Sequence, residues 1–140
     1  MTQKIAEQIA SLINERNKLA IHYTAHKIRE RAGNYLWRID KGGRLQGVVE
    51  VRKVQWYQYE IDHLSVQSDL EKHGIGSSLL EEAEQKAMDG GARIVQCTIR
   101  DDNNDSRRLF QRFKYVPAAK FYNRDTGKQI TVYQKPLITD

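Results

Sequence analysis

Cysteine is almost missing from this sequence: Cys97 stands alone, so no disulfide can form within the chain. That excludes the small disulfide-stapled scaffolds and fits a reducing, cytoplasmic setting. Within its apolar, strand-like run, Cys97 reads as a buried structural thiol. Proline is as scarce, with Pro117 and Pro136 only, and no stretch has the composition of a linker. No apolar run approaches the roughly 20 residues that a membrane helix needs. The opening residues, Met1 to Glu7, lack the apolar centre of a signal peptide. There is no internal repeat and no low-complexity tract. The 140 residues are expected to form one domain, 1–140, long enough to bury a core without a metal or disulfide. Acidic residues are the minority charge, 18 against 23 Lys and Arg, which leaves a net charge of +5. A basic surface attracts polyanions, and it suits a multiply phosphorylated cofactor and nucleic acid equally.

The chain does carry a clear change of period along its length. Ile5, Ile9, Leu12 and Ile13 share one face of a helix predicted over 2–17, and a second helix is expected at 24–31, stopped by Gly33. Period two then takes over. Residues 35–40 and 45–51 read as a hairpin across the tight turn Lys41-Gly42-Gly43-Arg44, and 56–66 as one long strand. A helix is predicted at 77–88, stopped by Asp89-Gly90-Gly91, followed by a strand at 92–99 and a helix at 105–113. Two last strands, near 119–122 and 130–134, flank the turn Asp125-Thr126-Gly127-Lys128.

The segment Glu71-Lys72-His73-Gly74-Ile75-Gly76 joins a strand to a helix start. First-turn N–H groups have no acceptor inside their helix, and the helix dipole adds positive charge there, so such a junction binds anions. Gly74 and Gly76 let the backbone approach a diphosphate closely. The Gly-Lys-Ser/Thr of nucleotide hydrolases does not follow, and Leu79 stands where a dinucleotide fingerprint needs its third glycine. Gly-x-Gly alone also starts many helices for packing reasons.

The surroundings are more specific. Val66-Gln67-Ser68-Asp69-Leu70-Glu71-Lys72-His73-Gly74-Ile75-Gly76-Ser77-Ser78-Leu79-Leu80 resembles the central motif of the GNAT (Gcn5-related N-acetyltransferase) superfamily. That motif is a strand-ending valine, Gln/Arg-x-x-Gly-x-Gly/Ala, then a helix opening with small residues and a leucine pair. Asn103, Phe110 and Tyr115 resemble the second motif, and Ile130-Thr131-Val132-Tyr133-Gln134-Lys135-Pro136-Leu137 is similar to the last strand. The resemblance implies an α/β (α+β) fold: a mixed, mostly antiparallel sheet of about six strands flanked by helices, with a splayed central pair. Three positions depart from the pattern. Glu71 replaces Gln/Arg, Phe110 stands where many relatives carry an acid tyrosine, and Lys114 replaces a glycine.

The resemblance also implies the chemistry: an acetyl group moves directly from acetyl-CoA to an amine, without a metal. Glu71, Lys72, His73, Gly74, Ile75, Gly76 and Ser77 would grip the diphosphate. The backbone of Leu64, Ser65 and Val66 would hold the pantetheine arm as an added strand. Counting back from Val66, the positions that supply the base are Glu60 and Asp62, which a strand puts on one face. Glu60 is expected as the base and Asp62 as an aid to a cationic acceptor; two solvated charges are the plainer alternative. Asn103 would bind the arm or cap a helix, and Phe110 would lie against the cofactor. With Phe110 unable to act as an acid, Ser106, Tyr115 or water is left, although Tyr115 also reads as core. His22 and His26, four apart with only Glu30 nearby, read as a helix surface pair. The other functional classes are a nucleic-acid-directed relative that modifies a base or an aminoacyl-tRNA, and a catalytically silent CoA-binding domain. Arg29, Arg31, Arg38, Arg44, Arg52, Lys53, Arg107, Arg108 and Arg112 supply the cationic surface for the first of these.

Overall fold

The apolar stripe of the first segment is realised in helix α1 (Gln3–Asn17), which buries Ala6, Ile9, Ala10, Leu12 and Ile13. A computed structural model describes residues 1–17 and 21–137 of the chain. Thr24 caps helix α2 (Ala25–Glu30), its hydroxyl accepting from the Lys27 N–H at 3.3 Å. The glycine stop is not used. The chain leaves α2 through a 3-10 turn at Ala32–Asn34, and Gly33 is not among the glycines with positive φ.

Strands β1 (Tyr35–Ile39) and β2 (Leu45–Gln55) pair antiparallel, from Tyr35↔Glu50 to Ile39↔Leu45. The tight turn between them closes on Asp40, whose carboxylate accepts the N–H groups of Gly42 and Arg44, both at 2.9 Å. Strand β3 (Gln58–Val66) is shorter than expected, because β2 runs on to Gln55 and Trp56-Tyr57 form the turn. Trp56 is 70% exposed, with its ring edge-on to Tyr57 at 5.2 Å. Aromatic residues favour strands in general, and nothing in this dipeptide signals a turn.

Helix α3 (Ile75–Asp89), strand β4 (Ile94–Arg100), helix α4 (Asn104–Arg112), strand β5 (Val116–Asn123) and strand β6 (Lys128–Pro136) complete the order. The six strands lie in the sequence β1-β2-β3-β4-β6-β5 in one mixed, mostly antiparallel sheet, the α/β class expected. The parallel ladder of β3 with β4 covers only Gln58↔Ile94 to Glu60↔Gln96, although both strands continue. This is the splay.

Contacts divide the chain into two units, Met1–Val51 with His63–Ala83, and Arg52–Asp62 with Glu84–Asp140. In the first, α1, Ile28, Tyr35, Leu45 and Val48 form the core. In the second, Val95, Cys97, Ile99, Phe110, Tyr115 and Tyr133 are buried. There α3 ends on Gly91, at φ 90°, with Ala92 N–H donating to Ala87 O at 2.9 Å.

Gly47 sets the spacing around the start of α3. A Cβ there would lie 3.0 Å from Ile75 Cγ2, 3.1 Å from Leu79 Cδ1 and 3.2 Å from Ser65 O. Three neighbours, one of them backbone, would have to give way. Gly47→Ala is therefore expected to cost about 1–3 kcal/mol by overpacking. A urea titration checks this, and an unchanged midpoint would mean that β2 and α3 are not tightly spaced.

Candidate active site

The junction expected to bind an anion lies wholly in the first unit. Strand β3 ends at Val66, a 3-10 turn covers Ser68–Leu70, and the chain reaches α3 through exposed residues 71–74. Two of these take left-handed backbone, Lys72 at φ 67° and Gly74 at φ 81°. Ser78 N–H, donating to Gly74 O at 3.0 Å, is the first helical bond of α3. The N–H groups of Ile75, Gly76 and Ser77 precede it and have no acceptor within the helix. Gln67 fastens the start of the loop to β2, through N–H to Gln46 O (3.0 Å) and Nε2 to Leu45 O (3.1 Å).

In the structure Arg16, at the end of α1, pairs with Glu71. One residue on, Asn17 Nδ2 donates to Ser65 Oγ (2.9 Å), and that hydroxyl donates to His63 O (3.0 Å). Arg44 grips Asp69 with two bonds of 2.9 and 3.0 Å, and the first of its effects is to hold the Asp69 carboxyl below its ordinary range. Arg16 and Asn17 were missed because they lie about fifty residues from their partners. Only the polar end of an amphipathic helix hinted at them.

His63, in the same unit, stands at φ 55° within β3. The Tyr23 ring meets its imidazole edge-on at 4.8 Å. Tyr23 is itself fixed by Asn14, whose amide donates to Tyr23 O and accepts from Tyr23 N–H, both at 2.8 Å. Glu50 of β2 is fully buried, with Oε1 3.8 Å from His63 Nε2, and with Asn34 Nδ2 and Arg31 Nη1 at 3.4 and 3.6 Å from Oε2.

The second unit holds the two carboxylates expected near the amine. Glu60 is 9% exposed, and Gln96 Nε2 donates to its Oε1 at 2.7 Å. Gln134 Nε2 donates in turn to Gln96 Oε1, also at 2.7 Å. Burial first, and then the charge of Asp62, push the Glu60 carboxyl above its usual range. Asp62 lies 3.3 Å from Arg52 Nε, so its charge is already paired. Burial also drives the Cys97 thiol up, aided by Glu60 and Asp62, which leaves it inert.

Asn103 is the N-cap of α4, its Oδ1 accepting from Ser106 N–H at 3.2 Å. Phe110 is buried and edge-on to Tyr115 at 4.9 Å. Tyr115 is a core residue whose hydroxyl is pushed far up by burial and then by Glu84, so it has no proton to give at neutral pH. His26 pairs with Glu30 at 2.8 Å on the exposed side of α2, while His22 precedes the helix; the two do not form a helix surface pair. Among the described residues no group of three or more His, Cys, Asp or Glu is arranged around a metal position. None of the described helices is long and apolar enough to cross a membrane.

Residues 5–115 match the acetyltransferase (GNAT) family, and the chain belongs to that family. It is 30% identical over 79 residues to the tRNA(Met) cytidine acetyltransferase TmcA of Aeropyrum pernix. That match takes in 56% of the chain and 11% of the relative, so the chain spans about a tenth of this curated relative's length. Among solved structures it is similar to Ard1 from Thermoplasma volcanium, with a TM-score of 0.84 and 17% identity, covering 99% of this chain and 95% of that one. An aminoglycoside 6′-N-acetyltransferase complexed with coenzyme A gives a TM-score of 0.81 at 14% identity, covering 99% and 94%.

The environment of Glu60 makes a prediction about stability. Its pKa is higher folded than unfolded, so folding is favoured while the carboxyl stays protonated and weakened as pH rises through the folded value. Glu60→Gln should raise the urea midpoint at about pH 8 and leave it nearly unchanged near pH 4, below the ordinary Glu value. An equal shift at both pH values would mean that no charge is being buried at Glu60.

Proposed function

We propose that the chain is one N-acyltransferase domain that moves an acetyl group from acetyl-CoA directly to an amine. The observation that carries this is the solvent-open loop 71–74, left-handed at Lys72 and Gly74, running into the N–H groups of Ile75, Gly76 and Ser77, which have no acceptor within α3. Those N–H groups and the helix dipole suit a diphosphate. Glu71 does not repel it strongly, because Arg16 neutralises the carboxylate. The backbone of Leu64–Val66, directly upstream, suits an extended pantetheine arm laid alongside as a strand, with an N–H there polarising the thioester carbonyl.

Glu60 takes the proton from the acceptor ammonium. A base works best with a pKa drawn toward the working pH, and burial moves Glu60 that way. Gln96, backed by Gln134, orients it; that hydrogen bond lowers the pKa, but burial outweighs it. Asp62 draws a cationic acceptor only in competition with Arg52. Asn103 holds the end of the strand–helix connection by its cap. The free, buried thiol of Cys97 suits a reducing, cytoplasmic setting.

The test is a thermal melt and a calorimetric titration with acetyl-CoA, against ATP at the same concentration. Acetyl-CoA should raise the Tm and ATP should not. Arg16→Ala should weaken coenzyme A binding about two- to fivefold, in line with the about 0.2–1 kcal/mol of an exposed ion pair. Adding Glu71→Gln should restore the loss. Equal protection by ATP would reduce the loop to a general anion patch.

One observation favours a second reading, in which the acceptor is a nucleobase: the similarity to a tRNA cytidine acetyltransferase, together with the net charge of +5. Against it, the arginines that suggested a cationic surface are largely engaged. Arg31, Arg38, Arg44, Arg52 and Arg108 each face a carboxylate. If tRNA is the acceptor, retention on immobilised tRNA will fall steeply with salt and acetyl transfer to it will exceed that to a free peptide N-terminus. Salt-insensitive, weak retention would remove this reading.

A further inference from the structure

We propose that His63, backed by Glu50, is the proton shuttle of the acyl transfer, taking the surplus proton from the amine nitrogen of the tetrahedral intermediate and giving it to the departing sulfur. This rests on the transferase reading above and fills a vacancy in it. Expelling a thiolate is eased by a proton donor, yet Phe110 has none to give and the Tyr115 hydroxyl is locked in the core.

Three observations in the first unit converge on His63. Its backbone stands at φ 55° in the middle of a strand, a conformation that costs energy for a residue with a side chain and that gathers at functional positions. The residue after it, Leu64, begins the stretch that receives the pantetheine arm, so the inversion falls at the thioester end of that arm.

The second observation is Glu50. A carboxylate with no solvent exposure is expensive unless charge or hydrogen bonds meet both oxygens. Oε2 has Asn34 and Arg31 near it, but Oε1 accepts no hydrogen bond from the described residues and faces His63 Nε2 across 3.8 Å. A proton on that imidazole gives Oε1 the charged partner it lacks.

The third is access with orientation. The imidazole remains 15% exposed, and its ring is set by Tyr23, which Asn14 holds by both backbone groups. The groups facing His63 include Glu50 from β2 and Tyr23 from the segment ahead of α2, with Arg31 behind the carboxylate.

The protons balance. The acceptor attacks the thioester carbon as the neutral amine. The nitrogen of the intermediate then carries one proton too many, which passes to the neutral imidazole of His63. The C–S bond breaks, and the same proton moves from the imidazolium to sulfur. The amide and the thiol leave, and His63 is neutral again.

The experiment uses the full chain, acetyl-CoA and hydroxylamine, an amine that is uncharged at neutral pH and so needs no first deprotonation. His63→Gln should lower kcat roughly 10²-fold, with coenzyme A affinity and Tm unchanged. Glu50→Gln removes the carboxylate behind the ring and should lower kcat less than His63→Gln does. His63→Asn and the pH profile of the unaltered protein serve if His63→Gln does not fold, since a profile without an ionisation in the histidine range overturns the proposal. It is also overturned if His63→Gln keeps kcat while the protein binds coenzyme A, which leaves the transferase reading standing. Failure of the unaltered chain to bind coenzyme A removes both.

Discussion

Strand β3 has to satisfy two demands that a regular strand cannot meet together. Over Gln58–Glu60 it pairs in parallel with β4, which fixes its place in the sheet. Three residues past the last pair its backbone inverts at His63. A regular strand alternates its side chains, and one left-handed residue breaks that alternation and redirects Leu64, Ser65 and Val66. The proposed base, the proposed shuttle and the stretch proposed for the cofactor arm thus succeed one another on a single strand. The strain at His63 is offset locally: its carbonyl accepts from Ser65 Oγ, Ser65 Oγ accepts from Asn17, and Tyr23 packs on the ring.

The same logic governs charge around the loop at the head of α3. A site for a polyanion is best served by cations held in place, but bare clustered arginines repel one another. Here each is matched with an acid: Arg16 with Glu71, Arg44 with Asp69, Arg38 with Glu82. Exposed pairs of this kind contribute little to stability. They hold their guanidinium groups in place within the first unit. The departure of Glu71 from the family pattern is thereby absorbed by α1, an element the motif does not include.

How much of this was legible in the sequence depended on the range of the interaction. Ile9, Leu12 and Ile13 announced α1 because helical period is a property of neighbours. Val66 to Leu80 announced the loop because its glycines and helix start are contiguous. The strand expected at 56–66 lost its first two residues to a turn, since Trp56 and Tyr57 carry strand preference and only the sheet registers decide otherwise. Arg16 with Glu71, Asn17 with Ser65 and Glu50 with His63 were invisible, because no spacing rule links residues on different elements. Glu50, within the strand expected at 45–51, is completely enclosed. Asn103, for which two roles stood open, takes the capping one with its carbonyl oxygen.

The two carboxylates Glu60 and Asp62 give the clearest case of environment assigning different roles to like groups. Two residues apart on one strand, they were equivalent by pattern. Glu60 is met by an amide, itself backed by another amide, in a mostly buried place. Neutral donors steady a carboxylate without supplying a charge that would hold its proton off, so burial and the neighbouring Asp62 charge prevail and its basicity rises. Asp62 is met by a guanidinium. Its charge is already paired, and Arg52 also offsets part of the rise at Glu60. Separation of acid–base roles between adjacent carboxylates rests on what each partner carries, and not on the carboxylates themselves.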